Sequence, residues 1–433
     1  MRRPSAARVR LARAWLSRAV EPGRGAVFDL VTEVGPVEAA ELLRSGSAAG
    51  AVASLAEARR REDRAIEDLA EAARVGVRLV TPEDHEWPDE AIRAMEIAYL
   101  RERAEGAGRP EGAGRPAGAA RIDRQPPRDR VELTPPLALW VCGSTRLDEA
   151  LARSVSIVGS RAATPYGEHV AADLAHGLAA RRWTVVSGGA LGIDGAAHRG
   201  ALAAAGTTVA ILAGGLRDPY PAAHSGLFRR IARDGVLVSE LPPDATPQRH
   251  RFLVRNRLIA GLSSGTVVVE AGLRSGALST GRQALRMGRA VMAVPGPVTS
   301  AESAGVHELL RTRPDVTLVT RTAEVVELVG AIGADLAPRP EAPATVRDGL
   351  EPLARQVLDG LPTVGAASPD RIAVSAGVPP LDVLRCLPGL EVRGLVEDTP
   401  GGWQLTPLAR GAPPLQRRAS CRDEVGRRTR QSS

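Results

Sequence analysis

The residues of this chain that could do chemistry gather where apolar runs stop. Val155-Ser156-Ile157-Val158 runs into Gly159-Ser160-Arg161, and Thr184-Val185-Val186 runs into Ser187-Gly188-Gly189, with Gly192 three residues on. Residues this small let backbone N–H groups and helix N-termini approach an anion closely. Arg161 sets a fixed positive charge beside the first of these turns. A tight strand-to-helix turn would explain Gly159-Ser160-Arg161 alone as well as phosphate binding does. The glycines at 188, 189 and 192 shift that balance, because they leave backbone donors uncovered ahead of a second helix. A third stop follows the run 266–270, where Arg274-Ser275-Gly276 leads toward Thr280 and again offers hydroxyls and a helix start to phosphate oxygens.

The densest basic patch lies at 249–261, RHRFLVRNRLIAG. Arg249, Arg251, Arg255 and Arg257 surround one aromatic, Phe252, and one amide able to bond in two directions, Asn256. Cations interleaved with an aromatic suit a single-stranded nucleic-acid backbone with an unstacked base. A solvated charged loop is the plainer alternative. Asp194 stands near a helix start, where it caps as readily as it reacts. Glu270 is a second acid that could be drawn into catalysis, and neither acid has an evident partner in the sequence. His198 reads as a helix-surface or core contact rather than a general base.

Composition narrows the chemistry. All 57 basic residues of the 433 are arginine, and the net charge is +7. A GxxxxGK(S/T) phosphate loop, a Schiff-base lysine and a kinase-type lysine are therefore excluded. Arginine still grips phosphate with two N–H groups and stacks on bases. The three cysteines, 142, 386 and 421, are too scattered for a disulfide framework, and the seven histidines hold no HExxH pair, so neither a metal nor a cofactor is expected. The N-terminal segment 9–20 is broken by Arg10, Arg13 and Arg18, which removes a signal core, and no apolar run is long enough to span a bilayer. The expectation is a cytoplasmic protein with polyanionic partners.

The elements that must position these residues alternate. Strands are expected at 138–141, 155–158, 184–187, 208–212, 236–239, 266–270, 290–294 and 316–319, with helical spacing at 168–180, 195–205, 227–234, 280–287, 306–311 and 322–329. Such β/α alternation predicts an α/β fold with a doubly wound, mostly parallel sheet over 134–330. Residues 1–98 read as a helical domain, with Gly35-Pro36 loosely like the turn of a helix–hairpin–helix. Residues 99–133 are a low-complexity insert in which EGAGRP occurs twice, and 331–345 form an Ala/Pro linker. Residues 346–409 suggest three short helices and a hairpin, the pattern of a winged helix, with Pro388 expected to end the third helix. An Arg-rich tail occupies 410–433.

The order of motifs resembles the DNA-processing protein A family, also called Smf. The matching segments are VGSRAATPYG (158–167), SGGALGIDGAAH (187–198), RNRLIAGLS (255–263), VVEAGLRSGALST (268–280), GRAVMAVPG (288–296) and GVHELLR (305–311). The resemblance implies a Rossmann-like core that binds single-stranded DNA with little sequence preference. It also implies homodimers and delivery of the RecA recombinase onto incoming strands during natural transformation. By motif position, Gly159, Ser160 and Arg161 hold phosphate, Ser187, Gly188, Gly189 and Gly192 frame it, Arg255, Asn256 and Arg257 border it, and Arg274, Ser275, Gly276 and Thr280 stand opposite.

The chain departs from the family pattern at Leu191, Ala222 and His224 and at Phe252-Leu253, and two positive charges are lost thereby. Arg217, Arg249 and Arg251 are the candidates to compensate. A competing reading is an enzyme of similar architecture, a nucleoside-monophosphate phosphoribohydrolase. Its hallmark PGGxGT turn is absent from this chain.

Overall fold

The computed structural model describes residues 4–107, 131–331, 333, 335–338 and 348–410. The chain divides into two compact units, 1–338 and 339–433. Of the insert read at 99–133, residues 99–107 continue helix Asp89–Ala107, while 108–130, like the tail at 411–433, lie outside the described residues.

The first unit is built on a nine-stranded sheet: β1 Val77–Val80, β2 Leu139–Cys142, β3 Ser154–Val158, β4 Thr184–Ser187, β5 Thr208–Ile211, β6 Val236–Ser239, β7 Gly265–Val268, β8 Ala290–Ala293 and β9 Val316–Leu318. Their spatial order is β1-β2-β6-β5-β4-β3-β7-β8-β9. From β6 to β9 every pairing is parallel, while β2 meets β6, and β1 meets β2, antiparallel. Strands β3 to β7 are buried throughout, as expected for strands covered on both faces, and this is why they read as unbroken apolar runs. Alternate side chains serve alternate faces. Val155, Ile157 and Val185 point into one cluster with Leu174, Leu178 and Ala197 from helices Pro165–Ala180 and Ile193–Ala203. Val158, Val186 and Val268 point into the other, with Leu258, Ile259 and Ala284 from helices Arg249–Gly261 and Gly276–Arg286.

The chain lays down β4, β5 and β6 on one side of β3, then crosses back to place β7, β8 and β9 on the other. The strand order therefore reverses beside β3, between it and β7. In open α/β sheets the loops at the carboxyl ends diverge at such a point and leave a crevice.

Several elements differ from the sequence expectation. Strand β1 sits inside the region read as wholly helical, where it follows a 3-10 turn, Gly50–Leu55, and a helix, Ala65–Arg74. The basic patch 249–261 is a helix rather than a loop. The N-terminal helices Ala6–Ala19, Gly25–Val34 and Pro36–Ser45 bury Trp15, Leu16 and Leu43 in a cluster shared with Trp140, Leu212, Phe228 and Leu237, so they close one end of the sheet.

In the second unit, helices Pro352–Asp359, Pro369–Ala376 and Pro380–Val392 precede an antiparallel pair, Val396–Thr399 with Gly402–Leu405. The last helix runs through Pro388 instead of ending there. Leu387 and Leu390 flank that proline and are buried with Val357, Ile372 and Leu405, and this packing outweighs the one missing N–H bond. Glu391 and Val392 consequently belong to the helix.

Candidate functional site

A crevice of about 450 Å³ opens where the strand order reverses. Three carboxyl-end loops and one helix form its walls. Gly159, Ser160 and Arg161 follow β3, Ala190 and Asp194 follow β4, and Arg274, Ser275, Gly276 and Thr280 follow β7. Helix Arg249–Gly261 contributes Phe252, Arg255, Asn256 and Ile259, the i, i+3, i+4 and i+7 positions of one face. Nine of the fourteen residues expected to bind phosphate thus line one cavity. Glu302, Leu253 and Leu273 also line it and were not expected. Glu302 lies in a short 3-10 turn with no motif around it, so nothing in the sequence marks it.

Arg161 is exposed and makes no hydrogen bond or ion pair among the described residues. Its guanidinium carbon stands 5.0 Å from the centroid of the half-buried Phe252 ring. Arg255 approaches the same ring at 6.0 Å, and Tyr220 meets it edge-on, also at 6.0 Å. Arg274 is exposed, and the Asn256 amide has no hydrogen-bond partner among the described residues. Ser275 caps helix Gly276–Arg286 by accepting from the Ala277 N–H at 3.3 Å, which turns the positive end of that helix toward the cavity.

Other groups are engaged inside the protein. The Arg255 guanidinium is buried and donates to the carbonyls of Gly188, at 2.7 Å, and Ile211. Burial pulls it down to about 10, with Asp194 opposing and Arg161 adding to the fall, so it stays cationic at neutral pH. Asp194 accepts from the N–H groups of Gly188 at 3.2 Å and Ala190 at 3.4 Å. Burial raises its carboxyl against the pull of Arg255 and these two donors. A Cβ on Gly188 would sit 2.5 Å from Arg255 Nη1 and 2.7 Å from Asp194 Oδ2, so glycine here lets two buried charged side chains close against the loop. The expectation of uncovered amides in this loop is corrected accordingly: Asp194 already takes two of them.

Five expected residues lie outside the cavity lining. Ser187 Oγ donates to the Ile157 carbonyl at 2.6 Å beneath the sheet edge. The Gly189 carbonyl accepts from His224 Nδ1 at 3.0 Å, while Gly188 and Gly192 support the loop from behind. Arg257 is fully buried and paired with Glu240 at 2.6 Å, because its face of the helix turns inward. The candidate compensating charges divide similarly. Arg217 pairs with Glu71 and Arg251 with Glu21, which leaves the exposed Arg249. Leu191 is exposed on the β4 loop.

Both candidate catalytic acids have partners, Asp194 in the two amides above and Glu270 in Thr164. Glu270 accepts from the Thr164 N–H at 2.9 Å and from its hydroxyl at 2.6 Å, fixing the start of helix Pro165–Ala180. Glu302 accepts from Ser160 Oγ at 2.7 Å. His198 is buried, donates from Nδ1 to Thr208 Oγ1 at 2.7 Å, and is pushed down to about 3 by burial and by neighbouring His224 and Arg199. It is a neutral core residue.

Among the described residues no helix is long and apolar enough to cross a membrane. Residues 123–330 match the family model described as DNA recombination-mediator protein A. A Mycobacterium tuberculosis protein named as DNA processing protein DprA is 50% identical over 396 residues, 91% of this chain and 94% of the relative. Protein Smf of Escherichia coli is 38% identical over 252 residues, 58% of this chain and 67% of the relative. The crystal structure of DNA processing protein A from Streptococcus pneumoniae superposes with a TM-score of 0.56 at 24% identity, covering 76% of this chain and all of that one, a likeness of fold. With half its residues shared across nearly the full length of the first of these relatives, the chain belongs to the DNA recombination-mediator protein A family.

Proposed function

We propose that the chain binds single-stranded DNA in the crevice beside β3 and β7, without breaking bonds in it, and passes it to the RecA recombinase in the cytoplasm as a homodimer. The observation that carries this reading is the set of unengaged groups in one cavity. Among the described residues Arg161 and Arg274 have no carboxylate partner and the Asn256 amide is open, and the capped helix start at Ser275-Gly276 faces the same space. Guanidinium groups and a helix N-terminus hold phosphates, while Phe252 between Arg161 and Tyr220 offers a surface for an unstacked base. The name of the Mycobacterium tuberculosis relative, which speaks of DNA processing, agrees with this. The second unit acts as an accessory or protein-contact module: residues 348–410 carry eight carboxylates against five arginines, net −3, and the third helix presents Leu381 and Leu384 to solvent.

The test is titration of a fluorescent oligothymidylate at several salt concentrations, beside incubation with nucleoside monophosphates. The expected result is tight binding that weakens steeply with salt and no release of base. Base release would instead favour the phosphoribohydrolase reading, although the carboxylates Asp194 and Glu270 are already engaged.

A further inference from the structure

Helix Arg249–Gly261 has two working faces. Phe252, Arg255, Asn256 and Ile259 line the crevice. His250, Arg251, Val254 and Arg257 face the other way, toward the N-terminal helices and Glu240. The start of this helix is electrostatically awkward. Gln248 gives no side-chain cap, the first turn has no acidic residue, and it carries Arg249, His250 and Arg251 at the end where the helix dipole is already positive.

Glu21, in the loop between helices Ala6–Ala19 and Gly25–Val34, supplies the missing negative charge. It accepts from Arg251 Nη2 at 2.7 Å and Nε at 3.0 Å, from His250 Nε2 at 3.1 Å and from Arg59 Nη2 at 2.5 Å. Burial pushes its carboxyl up, but the bonds from Arg251, Arg59 and His250 outweigh this and hold it at about 2. Two residues on, Gly23 is so close to the helix that a Cβ there would stand 2.8 Å from Val254 Cγ1. The N-terminal segment therefore grips the back of the helix whose front forms the crevice wall.

We infer that Glu21 is a positioning residue for the crevice: it pins the first turn of helix Arg249–Gly261 and so fixes where Phe252, Arg255 and Asn256 point. This rests on the DNA-binding reading above. The N-terminal helices then set the affinity of a site they do not touch. Losing the pin lowers the population of the competent helix position, and apparent affinity falls by the same factor.

The experiment titrates full-length protein with fluorescent oligothymidylate at three salt concentrations. If Glu21→Gln leaves the competent position populated about one-tenth of the time, Kd rises about ten-fold. The salt slope stays as in the parent, because no phosphate contact is removed. Glu21→Asp restores part of the affinity. Arg251→Gln gives a loss no larger, because His250 still meets Glu21, and the double variant loses no more than Glu21→Gln, which has already weakened the Arg251 contact. Arg13→Gln, which breaks the pair between helix Ala6–Ala19 and Glu83 in the loop after β1, is the stability control. It lowers the melting temperature without weakening binding. Unchanged affinity in Glu21→Gln, tighter binding with a steeper salt slope, or equal losses in Arg13→Gln each overturn the inference. Should Glu21→Gln not fold, Arg251→Gln carries the same test. Failure of the parent protein to bind oligothymidylate is a different result and sinks the DNA-binding reading instead.

Discussion

The guanidinium of Arg161 lies over the ring of Phe252, 5.0 Å from its centroid, at the mouth of the crevice. The two residues come from different elements, the loop after β3 and the first half of helix Arg249–Gly261, so the contact joins the two walls of the site. An exposed pair of this kind contributes about 0.5–1 kcal/mol to the fold. Its larger consequence is to hold an otherwise unengaged cation beside an aromatic face. Arg161→Ala should leave the melting temperature nearly unchanged and weaken oligothymidylate binding. The slope of log affinity against log salt should flatten by about one unit, as for the loss of one phosphate contact. A parallel set of salt titrations for parent and variant decides it, and an unchanged slope removes Arg161 from the site.

Gly188 tests the scaffold behind that surface. A methyl group at this position meets Arg255 Nη1 at 2.5 Å and Asp194 Oδ2 at 2.7 Å, both buried and neither free to retreat. Gly188→Ala should therefore destabilise the protein by about 1–3 kcal/mol, the usual cost of overpacking a core. Oligonucleotide binding should fall with it, because Arg255 also lines the crevice. Thermal melts and a titration on the same samples check both halves.

The strands were legible because a sheet covered on both faces demands continuous apolar runs, and Thr184–Ser187 and Val236–Ser239 form as expected to the residue. Helix Arg249–Gly261 was not legible as a helix, because it buries arginines at 251, 255 and 257 and so hides the apolar period that marks an amphipathic helix. What neutralises them cannot be read locally: Glu21 is 230 residues from Arg251, and the Arg255 acceptors are backbone carbonyls. The same limit explains the glycine loops. Their positions at strand ends were evident, but the engagement of the Gly188 and Ala190 amides by Asp194 appears only once the loop folds back.

Acid stability should report His198. Its folded-state value, about 3, lies below the unfolded 6.5, so between these values the unfolded chain binds a proton that the native core refuses. Stability from this residue is complete above about pH 6.5 and is lost as pH falls toward about 3. Glu21, at about 2 against 4.5, adds a loss in the same direction that begins only below about pH 4.5. Melting temperature measured between pH 7 and 4.5 should consequently decline in the parent. His198→Gln should decline less over that interval, whatever its stability at pH 7. Identical slopes would mean that the imidazole is protonated in the native state.

Arg257 distinguishes a scaffold arginine from a ligand-binding one. It is fully buried, its Nη2 bonds both Glu240 oxygens at 2.6 and 2.8 Å, and its Nε and Nη1 find no partner among the described residues. Removing only the arginine leaves Glu240 charged in a dry interior, where burial already raises its carboxyl. Arg257→Leu should therefore cost about 3–5 kcal/mol. Arg257→Leu combined with Glu240→Leu removes both charges and the two unpartnered donors, and such replacements are commonly neutral or stabilising. The double variant should regain most of the lost melting temperature. It should also bind oligothymidylate with the parent's salt slope, because neither side chain lines the crevice. A double variant that folds but binds with a flatter slope would return Arg257 to the set of residues that touch the strand.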